Sequence, residues 1–177
     1  MDNNYIFQYW EAIQNGTVTV GKWIKTIYEI LVNGLKSGKW DFDEENANKA
    51  INFIENFCHH SEGRNDLLKL ELWQKAIVSA IFGIMDKRTG YRQFREVFIV
   101  VARKNGKTLF AAAIAAYMAY IDGEYGAKVY FLAPKLDQAD LVYDAFYQIV
   151  QQEEILEEAT KKRRSDIYIK EFNTSVK

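Results

Sequence analysis

We predict an α/β fold built around a parallel β-sheet, and three neighbouring features of the sequence indicate it. Residues 97–102 form a short apolar run rich in β-branched side chains, which is typical of a strand buried on both faces. The tripeptide Gly106-Lys107-Thr108 follows this run. Residues 109–121 are then alanine-rich and apolar all round, which predicts a buried helix. A strand, a tight loop ending in Gly-Lys-Thr and a helix together indicate a phosphate-binding loop.

The residue types in this loop suit an anion, and in particular a nucleotide. Gly106 lets the backbone approach the ligand without a side chain in the way. Unpaired N–H groups and the helix dipole add positive potential at the start of the helix. Lys107 is expected to reach the β- and γ-phosphates, and Thr108 to place its hydroxyl on Mg²⁺. Val101 departs from the common pattern, which has its first glycine there, and the alternative is a plain loop glycine before a core helix.

Length and composition set the outer limits of the interpretation. The chain has 177 residues, of which 49% are hydrophobic, so it is long enough for a domain with a core and is not a disordered chain. Its net charge of −1 does not by itself demand a nucleic-acid partner. The single cysteine, Cys58, excludes an internal disulfide and is typical of a reducing compartment. We expect neither a signal peptide nor a membrane span.

The N-terminal residues 1–69 are predicted to form a helical region. Apolar residues recur every three or four positions in three stretches: the first ends at Asn15-Gly16, the second at Asn33-Gly34, and the third begins at Asp43 as its N-cap. The predicted inward residues are Tyr5, Ile6, Tyr9, Trp10 and Ile13, then Val20, Trp23, Ile24, Ile27, Tyr28 and Leu31, then Ala47, Ala50, Ile51, Ile54 and Phe57. Cys58-His59-His60 is interpreted as a helix end rather than a metal site, because adjacent residues rarely converge on one ion.

A fourth helix is predicted from residue 70 to residue 82, at the start of a core that covers residues 70–177. Its inner face would carry Trp73, Ala76, Ile77, Ala80 and Ile81, and Gln74 lies off that stripe. Two interpretations of Gln74 are open. It is either a solvated glutamine, or its amide donates to and accepts from the edge of an adenine.

The later part of the chain predicts two further strands. Residues 128–133 form an apolar run ended by Pro134, a helix follows over residues 137–152, and residues 153–162 are expected to continue it. The basic run 161–164 is interpreted as a solvated turn, with contact to a phosphate backbone as the less favoured alternative. Residues 167–172 alternate as a third strand. This order predicts a parallel sheet with right-handed crossovers.

Together these segments resemble the ATPase part of the large terminase subunit of tailed bacteriophages. The residues that carry the resemblance are Leu72-Trp73-Gln74 with Phe82-Gly83, Tyr91-Arg92-Gln93-Phe94, the loop from Ala102 to Thr108, Ala133-Pro134 with Gln138-Ala139, and in the helical lead-in Phe53-Ile54-Glu55 and His60. The resemblance covers nearly the whole chain. Its most specific part is the loop Arg103-Lys104-Asn105-Gly106-Lys107-Thr108.

The resemblance implies an ATP- and Mg²⁺-dependent motor that packages double-stranded viral DNA into procapsids. Arg103 and Lys107 would be catalytic, with Arg103 or Lys104 sensing the γ-phosphate. Gln74 would contact the adenine, and residues 103–108, including Asn105, would bind the nucleotide with Thr108 on Mg²⁺. Implied partners are double-stranded DNA, the portal protein and the small terminase subunit, with oligomers only on the portal. The implied location is the cytoplasm of the host bacterium, and transiently the procapsid portal.

The sequence departs from the family in what it lacks. The family has an apolar strand ending in Asp-Glu, which holds Mg²⁺ and orients water, and later a nuclease carboxylate cluster. Here the candidate strands are followed by Pro134 and by Asn173-Thr174-Ser175. We therefore expect a truncated N-terminal piece with weak or no hydrolysis of its own. The alternatives are another P-loop translocase or helicase, or a non-catalytic nucleotide-binding module.

Overall fold

The computed structural model describes residues 4–60, 63–164 and 166–177. Within them the chain forms two compact units, the first made of Met1–Asn52 with Leu70–Ile99 and the second of Phe53–Lys69 with Val100–Lys177. The helices are α1 (Tyr5–Gln14), α2 (Lys22–Lys36), α3 (Glu44–Phe57), α4 (Leu72–Gly83), α5 (Lys107–Tyr120), α6 (Leu136–Gln152) and α7 (Glu154–Glu158). The strands are β1 (Asp41–Phe42), β2 (Ile84–Met85), β3 (Lys128–Val129), β4 (Thr160–Lys162), β5 (Ile167–Ile169) and β6 (Thr174–Val176).

The first unit is built around α1, which packs against α2 and α4. The predicted α1 is confirmed: Asn4 caps it by accepting a hydrogen bond from the Ile6 amide at 3.0 Å, and the chain turns at Asn15. One core cluster lies between these helices and β2. It contains Ile6, Tyr9, Ile13, Tyr28, Leu31, Val32, Trp40, Ala76 and Ile84.

Helix α2 differs from the prediction at its end and on one face. It runs through Gly34 to Lys36 rather than stopping at Asn33-Gly34. Gly34 is needed for close packing, because a Cβ there would overlap the ring of Trp40. Trp23 and Ile27, predicted to point inward, are 75% and 50% exposed. The apolar face of α2 is wider than its contact with α1. Tyr28 and Leu31, which were also predicted to point inward, are buried in that contact.

Helix α3 begins as predicted at Asp43, whose carboxylate accepts a hydrogen bond from the Asn46 amide at 2.9 Å. Strand β1, which ends directly before Asp43, pairs with β2 in a two-stranded antiparallel sheet. The end of α4 packs tightly there, since a Cβ on Gly83 would lie 2.6 Å from Cε2 of Phe42 and 2.9 Å from Cβ of Ala47. The predicted helix over residues 70–82 is confirmed as α4, which ends at the closely packed Gly83.

The predicted central strand, residues 97–101, is wrong. This segment has no strand structure, and Phe98 and Val100 are 93% and 79% exposed. An apolar run becomes a strand only where a neighbouring strand takes up its N–H and C=O groups. Within the described residues no strand pairs with residues 97–101. The α/β class is confirmed, but the described residues do not form a complete parallel sheet.

The second unit has α5 and α6 packed together beside a four-stranded sheet of order β3-β6-β5-β4. Only β3 and β6 run parallel, while β6-β5-β4 is an antiparallel meander. The predicted strand 128–133 is short, although the Phe131 amide still donates to the carbonyl of Lys177 at 2.9 Å. The predicted fully parallel order is therefore wrong.

The segment between α6 and β5 also differs from the prediction. The continued helix expected over residues 153–162 ends at Glu158, and β4 takes its place from Thr160. The basic run 161–164, predicted to be a turn, begins inside this strand. The predicted strand 167–172 is β5 followed by a turn into β6. Residues 160–162 form their backbone hydrogen bonds with β5 instead of within a helix, and this pairing depends on residues outside the local segment.

Candidate phosphate-binding site

Helix α5 starts with an N-terminus that no side chain caps. Gly106 is the N-cap residue, with φ 66° and ψ 17°, and it makes no side-chain capping hydrogen bond. Its carbonyl accepts from the Phe110 amide at 2.9 Å, which is the first hydrogen bond of the helix. The first amides of a helix have no intrahelical acceptor, so those of Lys107 and Thr108 are available to an anion.

The conformation of Gly106 explains the residue type. A φ of 66° lies in the left-handed region, which glycine adopts without steric cost. A Cβ at Gly106 would meet no heavy atom within 4 Å, so the backbone faces free space at this point. The glycine is therefore required by the backbone conformation, and the space next to its Cα is open.

The turn before Gly106 is held by one side chain. Asn105 donates through Nδ2 to the carbonyls of Ala102 and Arg103, at 3.3 and 3.2 Å. Lys104 lies between Arg103 and Asn105. Its φ is 67°, and it is one of two non-glycine residues with positive φ among the described residues. These two hydrogen bonds keep the loop compact.

The loop carries three cations close together in sequence. Arg103, Lys104 and Lys107 are all exposed, and none forms an ion pair with another described residue. Positive charge beside a helix N-terminus favours anions. Thr108 is half-buried at the second position of the helix, with its hydroxyl on the same turn as Lys107.

Helix α5 is fixed in the second unit by an almost continuous buried surface, as the sequence predicted. Its small alanines allow α6 to approach, and its larger side chains fill the remaining space. The ring of Tyr117 packs 5.9 Å from that of Phe53. The buried residues are Phe110, Ala112, Ala113, Ala115, Ala116, Tyr117, Ala119 and Tyr120. The start of the helix is thus held by a rigid core.

Gln74 belongs to the first unit, whereas residues 103–108 belong to the second. It is only 8% exposed, so the interpretation of Gln74 as a solvated glutamine is wrong. Its Oε1 accepts a hydrogen bond from the Glu71 amide at 2.9 Å, and the Glu71 side chain accepts from the Gln74 amide, which is a capping box at the start of α4. The spacing Glu71-x-x-Gln74 is the signal that sequence reasoning missed.

The family profile "Terminase large subunit, ATPase domain" matches residues 72–177, which is more than half of the chain. The chain belongs to the terminase large-subunit ATPase-domain family. The match includes α4, the loop and the whole of α5, α6 and the four-stranded sheet. The resemblance to the ATPase part of the terminase large subunit, seen in the sequence, is thereby confirmed.

A solved structure supports the same assignment. The crystal structure of the HK97 bacteriophage large terminase matches this terminase domain with a TM-score of 0.64 and 25% sequence identity. The match covers 74% of this chain and 26% of the HK97 protein, so the chain spans about a quarter of that length. No curated protein sequence matches the chain.

Two further properties of the described residues concern ligands and membranes. No group of three or more His, Cys, Asp or Glu side chains is arranged to hold a metal ion in this part of the chain. None of the helices found there has the length and apolar character needed to cross a bilayer.

Proposed function

We propose that this terminase domain binds ATP with Mg²⁺ at the start of α5 and belongs to the motor that packages double-stranded viral DNA into procapsids. The single observation that supports the nucleotide site best is the uncapped N-terminus of α5 at Gly106-Lys107-Thr108, next to a cationic loop. Membership of an ATPase-domain family supports the same ligand.

Each residue of the loop has a distinct proposed role. The amides from Gly106 to Thr108 and the Lys107 ammonium bind the β- and γ-phosphates, since both are exposed donors at the positive end of the helix. Thr108 gives its hydroxyl to Mg²⁺, which supplies charge neutralisation at the phosphates when bound. Arg103 and Lys104 reach the γ-phosphate, with Arg103 acting mainly in the transition state. Asn105 supports the loop from within.

Gln74 is proposed to contact the adenine as well as to cap α4. An amide side chain can use its carbonyl for one partner and its NH₂ group for another, so the two roles are compatible. The Oε1 atom is already used by the Glu71 amide. Recognition of adenine would therefore depend mainly on donation from the NH₂ group.

We expect ATP binding to exceed ATP turnover in this chain alone. Hydrolysis needs an acid that holds Mg²⁺ and orients water, and neither residues 134–138 nor residues 173–177 supply an Asp-Glu pair after an apolar strand. Turnover in the packaging motor would then depend on further parts of a larger protein. The portal protein, the small terminase subunit and assembly on the portal, in the cytoplasm of the host bacterium, belong to the same proposal.

Calorimetric titration of ATP with Mg²⁺ into the chain and into Lys107→Ala tests the nucleotide site. Removing one partner of a charged phosphate contact costs about 2–5 kcal/mol. At ~1.4 kcal/mol per decade, Lys107→Ala should weaken binding more than tenfold. Arg103→Ala should lose less, because its interaction is completed only in the transition state. Lys49→Ala, an exposed lysine of α3, is the matched control and should change nothing.

Two results would overturn this proposal in different ways. Affinity unchanged by Lys107→Ala would remove the phosphate site and favour a non-catalytic helical module. Rapid phosphate release by this chain would show that the activating acid lies within these residues, against the expected dependence on further chain. A helicase would instead unwind a forked duplex with ATP, which a packaging motor is not expected to do.

A further inference from the structure

The two faces of the four-stranded sheet in the second unit differ in burial. Helix α5 packs on the face that carries the fully buried side chains of Ile167, Ile169 and Val176. Side chains alternate along a strand, so the residues between these point to the other side. The strand register aligns Lys161, Tyr168, Ser175 and Lys128 in one row across β4, β5, β6 and β3. We call this side of the sheet the basic face.

Cations dominate the basic face. Lys128 and Lys161 are exposed at its two edges. Arg163 follows Lys161 on the same side, with its guanidinium 3.7 Å from the centre of the Tyr168 ring. The Lys177 ammonium likewise lies over the Tyr130 ring, 6.0 Å from its centre. The neighbouring Lys162 points to the opposite side, 3.7 Å from the Tyr147 ring of α6.

Asp166 supplies the carboxylate that an ion pair places beside this face. Asp166 is 6% exposed, and its carboxylate lies 3.8 Å from the Arg163 guanidinium, so it balances that residue in part. The strand residues in the aligned row include no acid. The lysines therefore supply most of the positive potential.

We propose that the basic face binds the phosphate backbone of double-stranded DNA. This deepens the proposed packaging function by naming a contact surface for its substrate, and it rests on that function for the identity of the duplex. Neighbouring strands lie about 4.8 Å apart, so three spacings separate Lys161 from Lys128 by roughly 14 Å. A row of cations of this width matches several phosphates of a duplex, which carries about one charge per 1.7 Å of axis.

The aromatic rings favour a duplex over a single strand. Single-strand sites use free aromatic faces on which bases stack. Here a guanidinium already covers a face of Tyr168, and an ammonium approaches that of Tyr130. The rings therefore position the cations instead of receiving bases. Contact with phosphates, without base recognition, is what this arrangement supports.

The test measures binding of a labelled 30-base-pair duplex to the full chain by fluorescence anisotropy, without nucleotide, across a salt series. Lys128→Ala/Lys161→Ala removes two phosphate contacts, and Lys25→Ala/Lys49→Ala removes the same charge from exposed helical positions of the first unit. Each phosphate contact contributes about 0.9 to the slope of log K against log salt. The first double variant should bind more weakly and lower the slope by about 2, and the second should match the wild type.

Several outcomes would overturn the proposal. These are no duplex binding at low salt, equal loss in both double variants, or displacement of the duplex as readily by polyglutamate or by a single strand. ATP titration of Lys128→Ala/Lys161→Ala separates this proposal from the nucleotide site, because α5 packs on the opposite face and ATP affinity should be unchanged. If ATP does not bind at all, the nucleotide proposal fails while the duplex data still decide this one.

Discussion

The hydroxyl of Tyr120 lies 2.5 Å from the hydroxyl of Thr160, which joins the last turn of α5 to the first residue of β4. Thr160 also donates to the carbonyl of Leu156 at 2.6 Å. A carbonyl can only accept, so the Thr160 proton is used there and Tyr120 must donate to Thr160. The helix that starts at the candidate phosphate site is thus held at its far end by two consecutive hydrogen bonds.

We expect Thr160→Val to destabilise the chain more than Tyr120→Phe does. The valine leaves the buried Tyr120 hydroxyl and the Leu156 carbonyl without their partner, which costs about 1–3 kcal/mol. The phenylalanine leaves Thr160 bonded to Leu156, so its cost should lie near 0.5–1.5 kcal/mol. Chemical denaturation of both variants and of the double variant measures this order. Equal costs would show that the assigned direction of donation is wrong.

Gln74 and Glu71 separate helix capping from adenine recognition. Replacing either by alanine breaks the capping box of α4, so both should lower the free energy of unfolding by about 0.5–2 kcal/mol. Only Gln74→Ala should reduce the preference for ATP over GTP, because only that side chain is proposed to contact the base. The measurements are denaturation and titration with both nucleotides. If Glu71→Ala also reduced the preference for ATP over GTP, the reduction would come from the disturbed start of α4 and not from a lost contact with the base.

Lys104 is expected to carry backbone strain that a glycine would relieve. Its φ of 67° costs an ordinary residue about 1–2 kcal/mol, and glycine in the unfolded chain takes back part of that gain. Lys104→Gly should therefore raise the free energy of unfolding by up to about 1 kcal/mol. Arg103→Gly, at a residue without positive φ, should lower it. A thermal or chemical denaturation series decides between these signs, and destabilisation by Lys104→Gly would contradict the strain.

Cys58 should be unreactive in the native chain. Burial raises the pKa of its thiol to about 12, and the nearby Glu153 carboxylate adds to the shift. A thiolate is the reactive form, so alkylation at pH 8 should be slow until denaturant exposes the side chain. Labelling as fast as that of a free thiol would contradict this.

The same pKa shift predicts a loss of stability at alkaline pH. The folded pKa lies above the unfolded value of about 8.5, so the contribution of Cys58 is complete below pH 8.5 and is lost as pH rises toward 12. Unfolding free energies measured through this range should therefore fall. The decline should be smaller in Cys58→Ala, which has no thiol to ionise; equal declines would assign the effect to other groups.

Local patterns in the sequence were enough for the helices and for the candidate loop. Apolar residues at helical spacing predicted α1, α3, α4 and α5, and Asp43 and Gly106 marked the starts of α3 and α5. This was possible because the information for a helix lies within a few residues of each position. The Gly106-Lys107-Thr108 triplet between an apolar run and an alanine-rich stretch likewise indicated a phosphate site without any tertiary contact. The resemblance to the terminase family also came from the sequence.

The sheet and the surfaces were decided only by the tertiary structure. Residues 97–101 have the composition of a buried strand, yet Phe98 is exposed, because a strand depends on partners distant in sequence to take up its backbone hydrogen bonds. Pairing of β4 with β5 likewise decides that Lys161 faces outward while Lys162 lies over Tyr147. The basic residues 161–164 could form either a turn or the edge of a binding surface, and the neighbouring strand decides between the two. The alternation of side chains along a strand assigns each residue to a face of the sheet only when the pairing register is set.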